Sequence, residues 1–145
     1  NPVRISVAEV LTSLSTGQVD GFDNTPLFAF ATSWFSQIDS WTVSDHIYQP
    51  AVVTFNKAWF DKLPPDLQKI LLSDRVEETK AGRDSIRALT PQLLKSLAEK
   101  GITVYEMTPA EKAVFASRTK KVHADFKKKV GGKGKKMLEI IEKNK

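Results

Sequence analysis

Apolar residues recur three and four positions apart through most of the chain, and short β-branched or aromatic runs fall between those stretches. Val7, Val10, Leu11 and Leu14 form one helical face behind Ser6, which with Glu9 reads as a capping box; Gly17 ends that helix. Gln18 to Phe22 then reads as a short strand entering a glycine turn. From Pro26 to Ile38 the spacing predicts a helix whose apolar residues, Leu27, Phe28, Phe30, Ala31, Trp34, Phe35 and Ile38, cover a wide arc. An arc of that width needs cover on more than one side.

Beyond Trp41 to Val43, the run Ile47 to Asn56 is β-branched and aromatic and predicts a buried strand, with Pro50 restricting it to an edge or to a change of partner. Asn56 caps a short helix, Lys57 to Lys62, stopped by Leu63-Pro64-Pro65. From Asp66 a long helix follows through Leu67, Ile70, Leu71, Val76, Ile86, Leu89, Leu93, Leu94 and Leu97. Pro91 either kinks it or opens a second helix capped by Thr90. Lys100-Gly101 closes it, Ile102 to Tyr105 is a strand, and Thr108 with Glu111 opens a helix reaching Val130. The segment GGKG breaks that helix, and Lys135 to Glu142 forms the last one.

This inventory is α/β, helix-rich, with three or four short strands. So narrow a sheet cannot cover two broad apolar helix faces, so the chain is expected to be part of a larger α/β protein whose other strands are absent. With 145 residues, no cysteine, no initiator Met, no signal-peptide pattern and no bilayer-length apolar run, a soluble, trimmed or mature piece is expected.

The candidate chemistry centres on Gln18 to Ile38. A turn, Phe22-Asp23-Asn24-Thr25, sits against the fresh helix at Pro26, where unpaired amides suit an anion or a carbonyl oxygen. Asp23 offers an acceptor and Asn24 a two-way amide; the plainer role for Asn24 or Thr25 is to cap the helix. His46 is a donor expected to face the same site, with a satisfied structural histidine as the plainer role. Trp34, Phe35, Trp41 and Tyr48 could line an aromatic-friendly site, though such residues at helical spacing more often form core. No phosphate-loop, dinucleotide, zinc-protease or nucleophile-elbow motif occurs. Ser44, Asp45 and His46 adjoin in sequence, but three neighbours rarely converge as a nucleophile, base and orienter. Two histidines are too few for a histidine-built metal site. Neither an enzyme, a metal centre nor a cofactor is expected.

The net charge of +5 is uneven: Arg118 onward carries eleven Lys or Arg against three acids, residues 1–117 eleven against fourteen. A basic helical module binding phosphates or nucleic acid through that tail is the alternative reading, but only Phe126 interrupts the lysines where nucleic-acid readers would stand, so no nucleic-acid partner is expected.

The segments VDGFDNTP, SDHIYQPAVVTFNKAWFDKLPPDLQKIL and EKGITVYEMTPAE, behind the opening NPVRISVAEVLTSLSTGQVDG, resemble the C-terminal half of the solute-binding proteins of tripartite ATP-independent periplasmic (TRAP) transporters, the DctP-type family. The most specific pieces are VDGxDN and the block around NKAWFDKLPPDLQ. The resemblance implies the C-terminal portion of a two-lobed periplasmic binding protein. Residues 1–48 would belong to the ligand-binding lobe, 49–56 to a lobe-crossing strand, 64–100 to the long helix, and 102–145 to a closing strand and C-terminal helices. It also implies capture of a small organic acid and delivery to the membrane permease subunits. Asn24 is placed as a ligand contact, Asp23 as a pocket residue that in some members helps hold a metal ion with the substrate, and His46 and Val7 as further pocket residues. Arg4, beside Val7, is added as a candidate on proximity. The arginine that clamps the substrate carboxylate in the family lies upstream of this stretch, so the missing N-terminal half is itself an expected partner; self-association through exposed strand edges is the other way to cover them.

Overall fold

The structure, a computed structural model, describes residues 1–144. A 3-10 turn, Val7–Glu9, leads into α1 (Val10–Ser15), followed by α2 (Pro26–Ala31), a second 3-10 turn (Trp34–Gln37), β1 (Ser40–Val43), α3 (Lys57–Phe60), α4 (Pro65–Leu72), α5 (Arg75–Glu99), β2 (Thr103–Glu106), α6 (Pro109–Lys129) and α7 (Gly132–Lys143). β1 and β2 pair in parallel as a two-stranded sheet. The chain divides into two units, one of Asn1–Trp41 with Gln49–Val104 and one of Thr42–Tyr48 with the chain from Tyr105. The architecture is the helix-rich α/β arrangement expected.

In the first unit two glycines shape the core. Gly17 and Gly101 take positive φ, 69° and 86°, where a side chain is disfavoured. Each closes its helix with the same pair of bonds: Gly17 N–H to Leu14 C=O with Gln18 N–H to Ser13 C=O, and Gly101 N–H to Ala98 C=O with Ile102 N–H to Leu97 C=O. At the second of these ends Leu97 and Ile102 are both buried, the apolar contact that accompanies this cap. Thr103 N–H then donates to Asp39 C=O at 2.9 Å, so the cap delivers the chain straight into β2. α2 packs on α5, and Ala29 and Leu97, one on each, are fully shielded.

The predicted helix over 26–38 is two pieces. Thr25 caps it, its hydroxyl accepting from Phe28 N–H at 3.3 Å, with Pro26 in the first turn. It stops at Ala31 because the Thr32 hydroxyl bonds Phe28 C=O at 2.8 Å and Ser33 turns left-handed at φ 59°. The break rotates Trp34 into the core, edge-on to Phe22 at 5.1 Å and Phe28 at 5.3 Å, while Phe30 stacks on Phe35 at 4.6 Å. The wide apolar arc is thus partly covered by bending the chain on itself.

Several expectations are corrected. Ser6 makes no side-chain cap; its carbonyl takes Glu9 N–H instead, because the first turn is 3-10. Gln18 to Phe22 and Ile47 to Asn56 form no strand: a strand exists only when its amides find a ladder partner, and none stands beside either among the described residues. Val52 and Val53 point to opposite sides and are 80% and 87% exposed, so both faces of that extended run are bare. The helix expected over 64–100 is interrupted at Ser73-Asp74, where Ser73 is extended and Asp74 takes φ 50°, a conformation aspartate tolerates. Beyond it α5 runs unbroken through Pro91, and Thr90 does not cap; its hydroxyl donates to Ile86 C=O at 3.0 Å. The break expected at GGKG falls on Val130-Gly131, and the last helix starts earlier than expected, since α7 already includes Gly132 and Gly134.

In the second unit α6 opens with the predicted capping box: Glu111 N–H donates to Thr108 Oγ1 and Thr108 N–H to Glu111 Oε2. The Tyr105 hydroxyl adds a bond to Glu111 Oε1 at 2.6 Å. Tyr105 and then Thr108 hold the Glu111 carboxyl below its ordinary value, and the bond to Glu111 pushes the Tyr105 hydroxyl up. α7 packs on α6 through buried Leu138 and through Glu142, which Lys127 reaches at 3.1 Å.

Gly101→Ala is expected to cost about 1 kcal/mol, read as a lowered urea midpoint with unchanged slope. The helix-opening bonds of α6 should fade at both pH extremes. Because the folded Glu111 value is depressed, its contribution is full above the ordinary glutamate range and is lost as pH falls through the depressed value. Because the Tyr105 value is raised, its contribution is full below the ordinary tyrosine value and is lost as pH rises through the raised one. Carboxyl-detected NMR should find Glu111 titrating below the ordinary glutamate range, and Glu111→Gln should remove the acid limb.

Candidate ligand-binding site

The turn before α2 is fixed from both sides. Upstream, Ser13 is buried; its hydroxyl donates to Gln18 Oε1 at 3.1 Å and its carbonyl accepts from Gln18 and Val19 N–H, so the chain folds back over the end of α1. Downstream, Phe22 is held edge-on between Trp34 and Trp41, at 5.1 and 5.9 Å. Asn24 lies between that anchor and the Thr25 cap, its Oδ1 accepting from Thr25 N–H at 2.8 Å. Only an oxygen can accept there, so the carboxamide is oriented with Nδ2 as its donor.

These residues form one side of an open cavity of ≈ 810 Å³, whose other walls are the N-terminal segment and Val10 of α1, with Trp34 also lining it. Asp23, Asn24 and Val7 all line it, so the structure brings together three of the residues singled out from sequence. Arg4 does not: it is exposed and stands outside the lining to which Val3, Ile5 and Val7 contribute. His46 belongs to the second unit, where Ser44 Oγ lies 2.6 Å from its Nδ1 and its ring is 6.4 Å from Phe115. Asp45 beside it pairs with Lys112 at 2.5 Å, away from any triad geometry.

Asp20 and Ile5 also line the cavity and were not anticipated. The signal was their place in the chain: Asp20 stands just before the Asp23-Asn24 turn and Ile5 just before Val7, and the whole run Gln18 to Asn24 lines the cavity. Charge gives the site its character. Asp20 and Asp23 stand on the lining and no Lys or Arg side chain does, so an anionic ligand would meet repulsion here unless a cation came from elsewhere. The anion-receiving helix terminus expected at Pro26 is largely spent: Pro26 has no amide hydrogen, Phe28 N–H is taken by Thr25 Oγ1 and Ala29 N–H by Thr25 C=O. Among the described residues no three His, Asp or Glu side chains converge on a metal position. What remains is a bowl of mostly apolar residues with two amides oriented by the bonds their oxygens accept, Asn24 and Gln18, and two carboxylates.

Residues 1–129 match the family described as bacterial extracellular solute-binding protein, family 7, DctP. The chain belongs to that family. It is 33% identical over 128 residues to a solute-binding protein of Verminephrobacter eiseniae, covering 88% of this chain and 37% of the relative. It is 28% identical over 131 residues to the C4-dicarboxylate-binding periplasmic protein DctP of Rhodobacter capsulatus, covering 90% and 39%. The crystal structure of a TRAP periplasmic solute-binding protein from Ochrobactrum anthropi, whose C-terminus is bound in its ligand-binding pocket, superposes with a TM-score of 0.76 at 25% identity, covering 95% of this chain and 43% of that one. The chain therefore spans less than half the length of these relatives, each of which is named as a binding protein.

Trp34→Ala removes the group that joins the core to the cavity. It should cost about 3–5 kcal/mol of stability, measured by denaturant unfolding of the 145-residue chain.

Proposed function

We propose that this chain is part of the solute-capturing component of a TRAP transporter, a periplasmic protein that binds a small organic acid and passes it to the membrane permease. The observation that carries the reading is the meeting of Asp23, Asn24 and Val7 on one cavity in a chain of this family. The R. capsulatus relative, named for C4-dicarboxylates, supports a carboxylate as the solute class, and its periplasmic designation supports the compartment.

In this reading Asn24 donates its oriented Nδ2–H to a ligand oxygen, Val7 and Trp34 pack the carbon skeleton, and Asp23 accepts from a hydroxyl or an associated cation. His46 joins the contact set on the family resemblance; Arg4 is left out because it does not line the cavity. The clamp on the ligand carboxylate comes from the rest of the protein, since two acids and no cationic side chain line this side. Residues 1–48 contribute to the ligand-binding lobe, and the bare run 49–56 becomes the strand linking the lobes once neighbouring strands are supplied.

Calorimetry with succinate tests both halves of this reading. The 145-residue chain should give no saturable heat, whereas the longer protein should bind, with Asn24→Ala weakening it by about tenfold. Tight binding by the 145 residues alone would contradict the missing-clamp account, and a longer protein indifferent to every carboxylate would overturn the solute class.

A further inference from the structure

α7 has two different sides. Leu138 and Glu142, one helical turn apart, face α6: the first is buried and the second is bonded to Lys127. Met137, Ile140 and Ile141 recur at the same three-and-four spacing on another side and are 64%, 53% and 51% exposed. Lys133 and Lys136 stand one turn before Met137 and Ile140, and Lys143 follows, so ammonium groups flank the aliphatic stripe. Among the described residues ion pairs engage Lys127 and Lys128, while Lys133, Lys135 and Lys136 have none. The helix lies beyond residue 129, where the family match ends.

We propose that α7, backed by the lysines of α6, is a docking surface for an anionic lipid bilayer. An aliphatic stripe edged by lysines suits the boundary between headgroups and acyl chains: the aliphatic groups enter, the four-carbon stems reach back, and the ammonium groups meet lipid phosphates. A nucleic acid would use the lysines and leave Met137, Ile140 and Ile141 in water. α6 extends the cationic field with Lys120, Lys121 and Lys129, all exposed. In the transporter reading, on which this consequence alone rests, such attachment keeps the binding protein at the surface where its permease lies.

Vesicle sedimentation of the 145-residue chain tests this without any solute. Binding to vesicles of equal parts phosphatidylglycerol and phosphatidylcholine should exceed binding to phosphatidylcholine alone by at least about tenfold and collapse at about 0.5 M salt. Two triple variants, Met137→Ser with Ile140→Ser and Ile141→Ser, and Lys133→Gln with Lys135→Gln and Lys136→Gln, should each lose most of that binding, with circular dichroism confirming retained helix. Equal binding to neutral vesicles, or variants that bind like the parent, would overturn the proposal. So would salt-sensitive DNA retention without vesicle binding, which would make the tail a general phosphate binder.

Discussion

The indole of Trp34 is where the core of the first unit and the wall of its cavity meet. Phe22 and Phe28 hold it edge-on, and through Phe22 it governs where the chain turns toward Asp23 and Asn24. That contact exists only because Thr32 and Ser33 end α2 early and swing the next turn across it. The corner of Asp23 and Asn24 is thus positioned by an aromatic contact lying between the turn and the helix break. A side-chain amide is useful for recognition only when it has one orientation, and here a backbone amide on one side and an aromatic anchor on the other supply it.

Against that ordered corner stands a shortage of cover. Only a few apolar side chains are buried, and the run through Val52 and Val53 lies extended with both faces bare. A stretch with a strand's pattern stays bare without becoming a strand, because a ladder needs a second strand and none stands beside it among the described residues. The matches to solute-binding proteins less than half covered by this chain give the same picture from outside.

Charge separates the two units chemically. The cavity carries acids, while the helices at the other end of the sequence carry a dense excess of lysine. These suit different neighbours: a cavity completed by a cation from elsewhere, and a helix whose aliphatic stripe and ammonium groups suit a surface both apolar and anionic.

Local chemistry in the sequence determined the caps and the helix ends. Gly17 and Gly101 close helices as expected because few other residues take that backbone conformation, and Thr108 with Glu111 forms its box because both partners lie within one turn. Asp23 and Asn24 were legible as neighbours because one turn holds both, whereas Val7 was named by the family resemblance and meets them only through packing. Tertiary structure alone decided which predicted strands exist, since Gln18 to Phe22 and Ile47 to Asn56 have the pattern but lack partners. It also decided that the 26–38 helix breaks to bury Trp34, that the long helix parts at Asp74, and that Arg4 stands outside the cavity lining. Those outcomes depend on what stands across from a residue rather than beside it, and a pattern read along the chain carries no record of that.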